Sequence, residues 1–301
     1  MSKKPKVSVI MRCKNSDWVI AEALAGLHSQ TFKDFELIVV DSGSSDTTLE
    51  IVSQYPCRLI QIEPTQYYPG AVLNMAIKEA KADLIVFQNS DGVPLCQHTL
   101  QRLVAAFDSA EIDAALTRQL PRPEAETWVR KDYELSFPDA AETPPWIRLS
   151  LPMAAMRKSA WEKHKFYTQA WASEDTEWGE WAVQNGLKIK YVKDAIIMHS
   201  HNYTLKQIFG RKFVEGEADA FIYAAKPNII KAKMKFFKGC LRDFITYLQA
   251  KDFAHMGSII PRNFVYQYAH YRGLRLGYKR LRTGDTDPSK GQVNVLSRYE
   301  P

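Results

Sequence analysis

Residues 84–94 read L-I-V-F-Q-N-S-D-G-V-P: four apolar residues, then amides and a hydroxyl, then Asp91 and Gly92. The apolar run has the length and composition of a strand buried on both faces, as in a parallel sheet covered by helices. In open α/β sheets, ligands bind at the carboxyl ends of the strands, where an acid can hold a divalent cation. Asp91 is therefore a candidate metal ligand, although Asn-Ser-Asp-Gly is also a common turn sequence.

Strand and helix patterns alternate through the first ninety or so residues. The predicted strands are 6–11, 35–40, 58–62 and 84–87, and the predicted helices are 17–29 and 47–54; residues 67–80 are predicted to turn over Pro69 and Gly70 and then form a third helix. Thr47 followed by Glu50 predicts a capping box at the start of the second helix. The order β-α-β-α-β-α-β predicts an α/β fold with a doubly wound, mostly parallel sheet. Asp41 and Asp91 both follow strands of this sheet and are expected at one edge.

Two nucleotide-binding signatures are missing from the sequence. No G-x-G-x-x-G follows the first strand, and no G-x-x-x-x-G-K-[ST] occurs. This disfavours a nicotinamide dehydrogenase and a P-loop NTPase. A bound nucleotide would then be held through its base, its ribose and a metal-bound diphosphate.

Composition predicts a soluble globular protein: the chain has 301 residues, 46% of them hydrophobic and 25% charged. The four cysteines lie far apart with no C-x-x-C pair, which is typical of reduced thiols in the cytoplasm. The N-terminus lacks the apolar core of a signal peptide, and no apolar run approaches the roughly 18 residues of a spanning helix. We expect a cytoplasmic protein.

The net charge of +6 is unevenly distributed. Residues 203–301 carry 18 Lys/Arg against 8 Asp/Glu, whereas residues 1–202 carry 22 against 26. We predict a catalytic domain over 1–202 and a basic helical C-terminal region over 203–301, with helices at 205–223, 229–249 and 264–281. Lysines beside aromatic residues in this region suit peripheral docking on an anionic membrane, and no nucleic-acid recognition motif appears.

Four motifs resemble the nucleotide-sugar-binding half of family 2 glycosyltransferases with the GT-A fold. They are V-S-V-I-M-R-C-K-N, F-E-L-I-V-V-D-S-G-S-S-D, G-A-V-L-N and F-Q-N-S-D-G-V-P, in the family's order. The resemblance implies a nucleotide-sugar-binding half over 1–95 and an acceptor half over 96–202. Within the second half, 112–116 predicts a strand, 117–123 an extended loop and 128–137 a helix.

The resemblance also implies a donor site and a metal site. Its nucleotide-sugar-binding positions fall on Arg12, Asn15, Asp41, Ser42, Asn74, Asn89 and Ser90. Its D-x-D metal motif falls on residues 89–91, which makes Asp91 the ligand to Mg²⁺ or Mn²⁺. The sequence departs from the family twice, because Ser42 replaces the usual second acid and Asn89 replaces the first acid of D-x-D.

A second acidic motif, W-A-S-E-D-T-E-W-G-E-W-A-V-Q-N-G, spans residues 171–186. Taken alone, acids at a helix start are explained by the helix dipole. The resemblance instead implies that Asp175 is the general base and that Glu174 orients the acceptor or the base. A carboxylate within hydrogen-bond reach can remove the proton of an attacking hydroxyl.

The sequence H-S-H at 199–201 follows a predicted strand at 195–198. The resemblance implies that a histidine here completes the metal site, and His199 is favoured over His201. A hydrogen-bonded histidine at a strand end is the alternative.

Residues 199–213 and 118–123 are similar to bacterial rhamnosyltransferases of family 2. This implies inverting transfer of L-rhamnose from dTDP-rhamnose to a hydroxyl of a growing surface glycan, with a glycan or lipid-linked acceptor. Two alternatives remain open: a transferase of the same fold with a UDP-hexose donor, and a degenerate module that binds sugar or membrane without turnover.

Overall fold

The computed structural model describes residues 4–291. Of these, 4–123, 133–166 and 174–200 form one compact unit, and 124–132, 167–173 and 201–291 form another. The last ten residues of the predicted basic region, 292–301, lie outside the described residues. The two units are called the sheet unit and the helical unit below.

The sheet unit contains eight strands among its described residues, in the order β3-β2-β1-β4-β7-β6-β8-β5. The strands are β1 (Val7–Cys13), β2 (Phe35–Asp41), β3 (Arg58–Gln61), β4 (Leu84–Gln88), β5 (Val93–Pro94), β6 (Ile112–Leu120), β7 (Met153–Arg157) and β8 (Lys188–Met198). The four predicted strands pair in parallel as 3-2-1-4. The α/β class and the doubly wound half are therefore confirmed.

The other half of the sheet departs from the parallel pattern. β7 runs antiparallel to both β4 and β6, and β5 runs antiparallel to β8. β6 continues to Leu120, so the predicted loop at 117–123 is wrong over its first four residues. The prolines at 121 and 123 lie beyond the last pair, Leu120↔Met198, and so cost no ladder hydrogen bond.

Ten α-helices accompany these strands in residues 4–291. They are α1 (Ile20–His28), α2 (Thr48–Val52), α3 (Pro69–Glu79), α4 (Thr99–Ala105), α5 (Thr127–Ser136), α6 (Lys158–Lys163), α7 (Glu174–Gln184), α8 (Leu205–Ile222), α9 (Ile229–Gln249) and α10 (Ile259–Thr283). The capping box predicted for α2 is wrong, because the Thr47 side chain makes no cap. Its hydroxyl donates to Asp17 Oδ2 at 3.1 Å instead.

Successive residues of the central strands enter two cores on opposite faces of the sheet. Val9 of β1 and Val86 of β4 pack with α1 and α4 on one face. Ile10 and Phe87 pack on the other face with α3 and with Trp178 of α7. Burial on both faces explains the continuous apolar runs of these strands and leaves their polar ends at the sheet edge.

The helical unit is built on close packing of α8 against α10. Gly273 allows this approach, because a Cβ there would lie 1.8 Å from the Phe213 carbonyl oxygen. Arg280 and Glu217 form a buried ion pair at 2.5 Å between the same helices. Within the described residues, no helix combines the length and apolarity needed to cross a bilayer.

Candidate functional site

The loops that follow β1, β2 and β4 meet at one edge of the sheet. Parallel register places Cys13 beside Asp41, and β4 pairs with β1 on its other side. The hydroxyls of Ser90 and Ser16 are hydrogen-bonded at 2.9 Å. The carbonyl oxygen of the Asn15 side chain accepts from the Ser45 backbone N–H at 2.8 Å. These contacts join the three loops into one wall.

Asp41 shapes the loop after β2. Its carboxylate is fully buried and accepts from the backbone N–H groups of Gly43 and Ser44, each at 3.0 Å. Ser42 is also buried, and its N–H donates to the Cys13 carbonyl at 3.1 Å. Burial, then the Asp41 charge, raises the pKa of the Cys13 thiol. Nucleotide binding by Asp41 and Ser42 stays a prediction.

Asn74 of α3 lies in an internal network. Its side-chain oxygen accepts from Trp161 Nε1 at 2.8 Å and from the Phe166 N–H at 3.1 Å. Its Nδ2 donates to the Phe166 carbonyl at 2.7 Å. These bonds fix the segment after α6 against α3, which is a structural role that the motif G-A-V-L-N does not reveal. Nucleotide binding by Asn74, like that by Asn15, stays a prediction.

Arg12 connects residues that are remote in sequence. Its Nη1 donates to Glu174 Oε1 at 2.9 Å, and its Nη2 lies 3.5 Å from Asn89 Oδ1. The side chains of Arg12 and Glu174 are only 13% and 11% exposed, so each charge depends on the other for compensation. The pair therefore ties the start of α7 to the end of β1, and the Asn89 contact extends this connection to the loop after β4.

Asp175 follows Glu174 at the start of α7. Burial, then the neighbouring Glu174 charge, raises the pKa of Asp175 to about 6. The Thr176 N–H donates to its Oδ1 at 2.8 Å, and the Leu151 backbone also donates to it. Because the next residue, Pro152, accepts from the Asn89 N–H at 3.0 Å, Asp175 lies at the β4 end of the sheet. A carboxylate with this pKa is ionised at neutral pH and accepts protons better than an ordinary one.

Asp91 and His199 form a pair suited to a divalent cation. Asp91 Oδ2 lies 3.6 Å from His199 Nε2. His199 Nδ1 is 3.0 Å from Gln119 Oε1 and 2.9 Å from Tyr133 Oη. Gln119 Nε2 donates to Ser150 Oγ at 2.8 Å, so its oxygen faces the imidazole. With the imidazole proton on Nδ1 and donated to this oxygen, the Nε2 lone pair would face Asp91, as in histidines that ligate metals.

Arg122 is a further residue at this site that the motif analysis did not single out. It is buried, and its Nη2 donates to the Asp91 carbonyl at 3.3 Å. Its guanidinium lies 5.0 Å from the centre of the Trp18 ring. Its Nε is buried without a hydrogen-bond partner. The motif R-Q-L-P-R-P contains both Gln119 and Arg122, so it carried a signal for both residues.

Tyr67 is a second residue that sequence reasoning missed. Burial raises the pKa of its phenol, although the charge of Arg12 acts to lower it. Tyr67 lies between a short turn at Pro64–Gln66 and the start of α3. No sequence motif includes it, so its interaction with Arg12 could not be predicted.

Comparison with known proteins places this site in a family. The model of glycosyl transferase family 2 matches residues 8–170. The O-antigen chain rhamnosyltransferase WbaN of Salmonella anatum is 27% identical over 263 residues, covering 82% of this chain and 81% of the relative. The O-antigen chain rhamnosyltransferase RfbN of Salmonella typhimurium is 26% identical over 288 residues, covering 90% and 89%.

Solved structures show the same fold. The mannosyltransferase PcManGT of Pyrobaculum calidifontis, in complex with GDP-Man and Mn²⁺, aligns with a TM-score of 0.58 at 18% identity over 99% of this chain and 89% of its own. S. aureus TarS 1-349 aligns with a TM-score of 0.56 at 20% identity over 93% and 92%. The GT-A fold with a C-terminal helical extension is thereby confirmed. Since the family model matches more than half of the sequence, the chain belongs to glycosyltransferase family 2.

Proposed function

We propose that this protein is an inverting glycosyltransferase that moves L-rhamnose from dTDP-rhamnose to a hydroxyl of a growing surface glycan. The observation that carries the proposal is Asp175: a partly buried carboxyl with a raised pKa, at the sheet edge that also holds the Asp91–His199 pair. The choice of rhamnose is supported by the two rhamnosyltransferases, which align over more than four fifths of this chain.

In this proposal, Asp175 accepts the proton of the acceptor hydroxyl. The oxygen attacks the anomeric carbon as the bond from that carbon to the diphosphate oxygen breaks, and the nucleoside diphosphate leaves with the bonding electrons. A single displacement from the opposite face inverts the anomeric configuration. Glu174 is a positioning residue, because its ion pair with Arg12 fixes the start of α7 that carries Asp175.

Asp91 and His199 would hold Mg²⁺ or Mn²⁺, since a carboxylate oxygen and an imidazole nitrogen suit these ions. When bound, the cation would neutralise the charge that develops on the departing diphosphate. Arg122, beside Asp91, adds a fixed positive charge for the same group. Asn89 is uncharged, and its side-chain oxygen lies beside Arg12.

The acceptor in this proposal is a glycan or a lipid-linked sugar presented at a membrane, and the enzyme works in the cytoplasm as a peripheral protein on the inner face of the plasma membrane. The basic character of residues 203–301 supports this location.

The test is release of free nucleoside diphosphate from dTDP-rhamnose, UDP-GlcNAc and GDP-mannose, with Mg²⁺ or Mn²⁺ and membrane extract as acceptor. We expect release from dTDP-rhamnose alone, and a loss of at least about 100-fold in Asp175→Asn. Asp194→Asn is the matched control, because Asp194 is an exposed carboxylate of β8. Release from a UDP- or GDP-sugar in place of dTDP-rhamnose would overturn the donor. No release from any donor would favour the binding module.

A further inference from the structure

The outward face of α9 is an exposed apolar stripe. Its residues recur at alternating spacings of four and three along the 21-residue helix, which is about 31 Å long. Each side chain is between 42% and 68% exposed: Ile230, Met234, Phe237, Leu241, Phe244 and Leu248. This set is called the α9 stripe. An exposed apolar surface of this extent marks a binding face.

Cations line the α9 stripe on both sides. Lys231 and Lys238 follow one flank in helical projection, and Lys233 lies on the other; all are exposed. Asp243 is the one acid of this helix, and it is buried on the inner face. The outward surface of α9 is therefore apolar along its centre and positive at its edges.

The inner face of α9 is held by specific contacts with α10, which fix the direction of the stripe. Asp243 Oδ2 accepts from Arg262 Nη2 at 2.9 Å and from Asn263 Nδ2 at 2.8 Å. A Cβ at Gly239 would lie 2.2 Å from Asn263 Oδ1. Rotating α9 to bury its stripe would break the buried Asp243–Arg262 ion pair and leave the buried Arg262 charge without its acidic partner, which is costly.

The first turns of α10 also expose apolar side chains. Ile260 and Phe264, one helical turn apart, are both mostly exposed. The Phe264 and Tyr268 rings are stacked with centroids 5.6 Å apart. The helical unit therefore exposes apolar side chains on α10 as well as on α9.

Two occupants suit an apolar helix stripe: a second copy of the chain and a lipid surface. The four-three spacing would permit a coiled coil. In such a pair, however, the lysines at the flanking positions 231, 233 and 238 would face one another, and the one acid of α9, Asp243, is buried on the inner face and cannot oppose them. An anionic bilayer instead accepts the apolar side chains at the acyl boundary while the lysine stems extend their charges to the headgroups.

We propose that the α9 stripe binds an anionic membrane, with the helix lying in the plane of the interface. This deepens the peripheral location in the proposed function by naming the surface and the lipid charge. Because binding to vesicles requires no donor or acceptor, it is measured independently of glycosyl transfer. The mixed apolar and cationic face is typical of helices that lie on a membrane rather than cross it.

The experiment is co-flotation of the full chain with vesicles of phosphatidylcholine alone or with added phosphatidylglycerol. We expect flotation only with phosphatidylglycerol, and weaker flotation at high salt. Phe237→Ser/Leu241→Ser should weaken binding by at least about ten-fold through lost apolar burial. Lys231→Gln/Lys238→Gln should weaken it by about five-fold per lysine.

The matched control is Leu59→Ser/Val183→Ser, which removes two apolar residues of the sheet unit that are 41% and 43% exposed. It should float like wild type, and circular dichroism should show that each variant is folded. Equal binding to neutral and anionic vesicles, or binding unchanged in the α9 variants, would overturn the proposal. So would a wild-type dimer in light scattering that Phe237→Ser/Leu241→Ser converts to a monomer, because that result assigns the stripe to a second copy.

Discussion

The sheet edge and the outward face of α9 use their residues in opposite ways. At the sheet edge, polar and charged side chains are largely buried beside one another: Arg12 is paired with Glu174, and Asp91 lies 3.6 Å from His199. On α9, apolar side chains such as Phe237 and Leu241 are exposed and cations surround them. Buried charges need specific partners, whereas exposed apolar residues cost the fold little. We therefore expect substitutions at the sheet edge to affect stability and chemistry, and substitutions on α9 to affect attachment.

Among the ion pairs, the largest expected effect on stability is from breaking the Arg12–Glu174 pair. Arg12→Met would leave Glu174 buried without its partner and should lower the free energy of unfolding by about 3 kcal/mol. The double variant Arg12→Met/Glu174→Gln should recover part of this loss, because no uncompensated charge remains. Urea unfolding followed by circular dichroism measures both.

The matched control is Arg58→Met, since the Arg58–Glu79 pair is half exposed. Its effect should be at most about 1 kcal/mol. If Arg12→Met is no more destabilising than Arg58→Met, the sheet edge does not depend on buried ion pairing and the contrast with α9 fails.

A smaller effect is expected from a residue that contacts His199, the proposed metal ligand. Gln119→Leu removes one of the two oxygens within hydrogen-bond distance of His199 Nδ1, the other being Tyr133 Oη, and should weaken Mn²⁺ binding by about 10-fold. Gln119→Glu keeps an acceptor oxygen and should preserve most of the affinity. Titration of Mn²⁺ by electron paramagnetic resonance, with nucleoside diphosphate present, measures binding without turnover. Equal affinities in both variants would remove Gln119 from the site.

The pH dependence of the reaction should report on Asp175. Its raised pKa of about 6 means that the protonated, inactive form persists to a higher pH than for an ordinary carboxyl. The rate should therefore fall about ten-fold per pH unit below about 6 and level off above it. Glu174→Gln removes a negative neighbour and should move this acid limb to lower pH. If the acid limb of Glu174→Gln lies at the same pH as that of the wild type, a group other than Asp175 titrates.

The smallest effect on stability is expected on α9. Phe237→Ser should change the free energy of unfolding by less than about 0.5 kcal/mol, since the side chain is largely exposed. Phe87→Ala in the buried β4 strand should cost about 3 to 5 kcal/mol. Thermal unfolding of both variants measures the two losses in stability. A large loss in Phe237→Ser would show that the stripe packs within the protein.

Periodicity predicted the elements whose buried faces produce a regular pattern of apolar residues along the chain. The four parallel strands were found from their apolar runs, and the predicted helix 229–249 matches α9. β7, with the sequence Met-Ala-Ala-Met-Arg, was not predicted, because its place between β4 and β6 is decided by pairing across the sheet. The capping box at Thr47 failed for the same reason, since its hydroxyl bonds to Asp17 on another loop.

The sequence by itself determined the α/β fold, the GT-A resemblance and the acids at 91 and 175, because strand periodicity and short motifs are written in adjacent residues. Only the tertiary structure decided which residues surround and contact the residues of these motifs. The Arg12–Glu174 pair, the Gln119–His199 bond and the internal roles of Asp41 and Asn74 join or bury residues that the motifs treat separately. Burial and charge compensation depend on distances in space, and no local pattern records them.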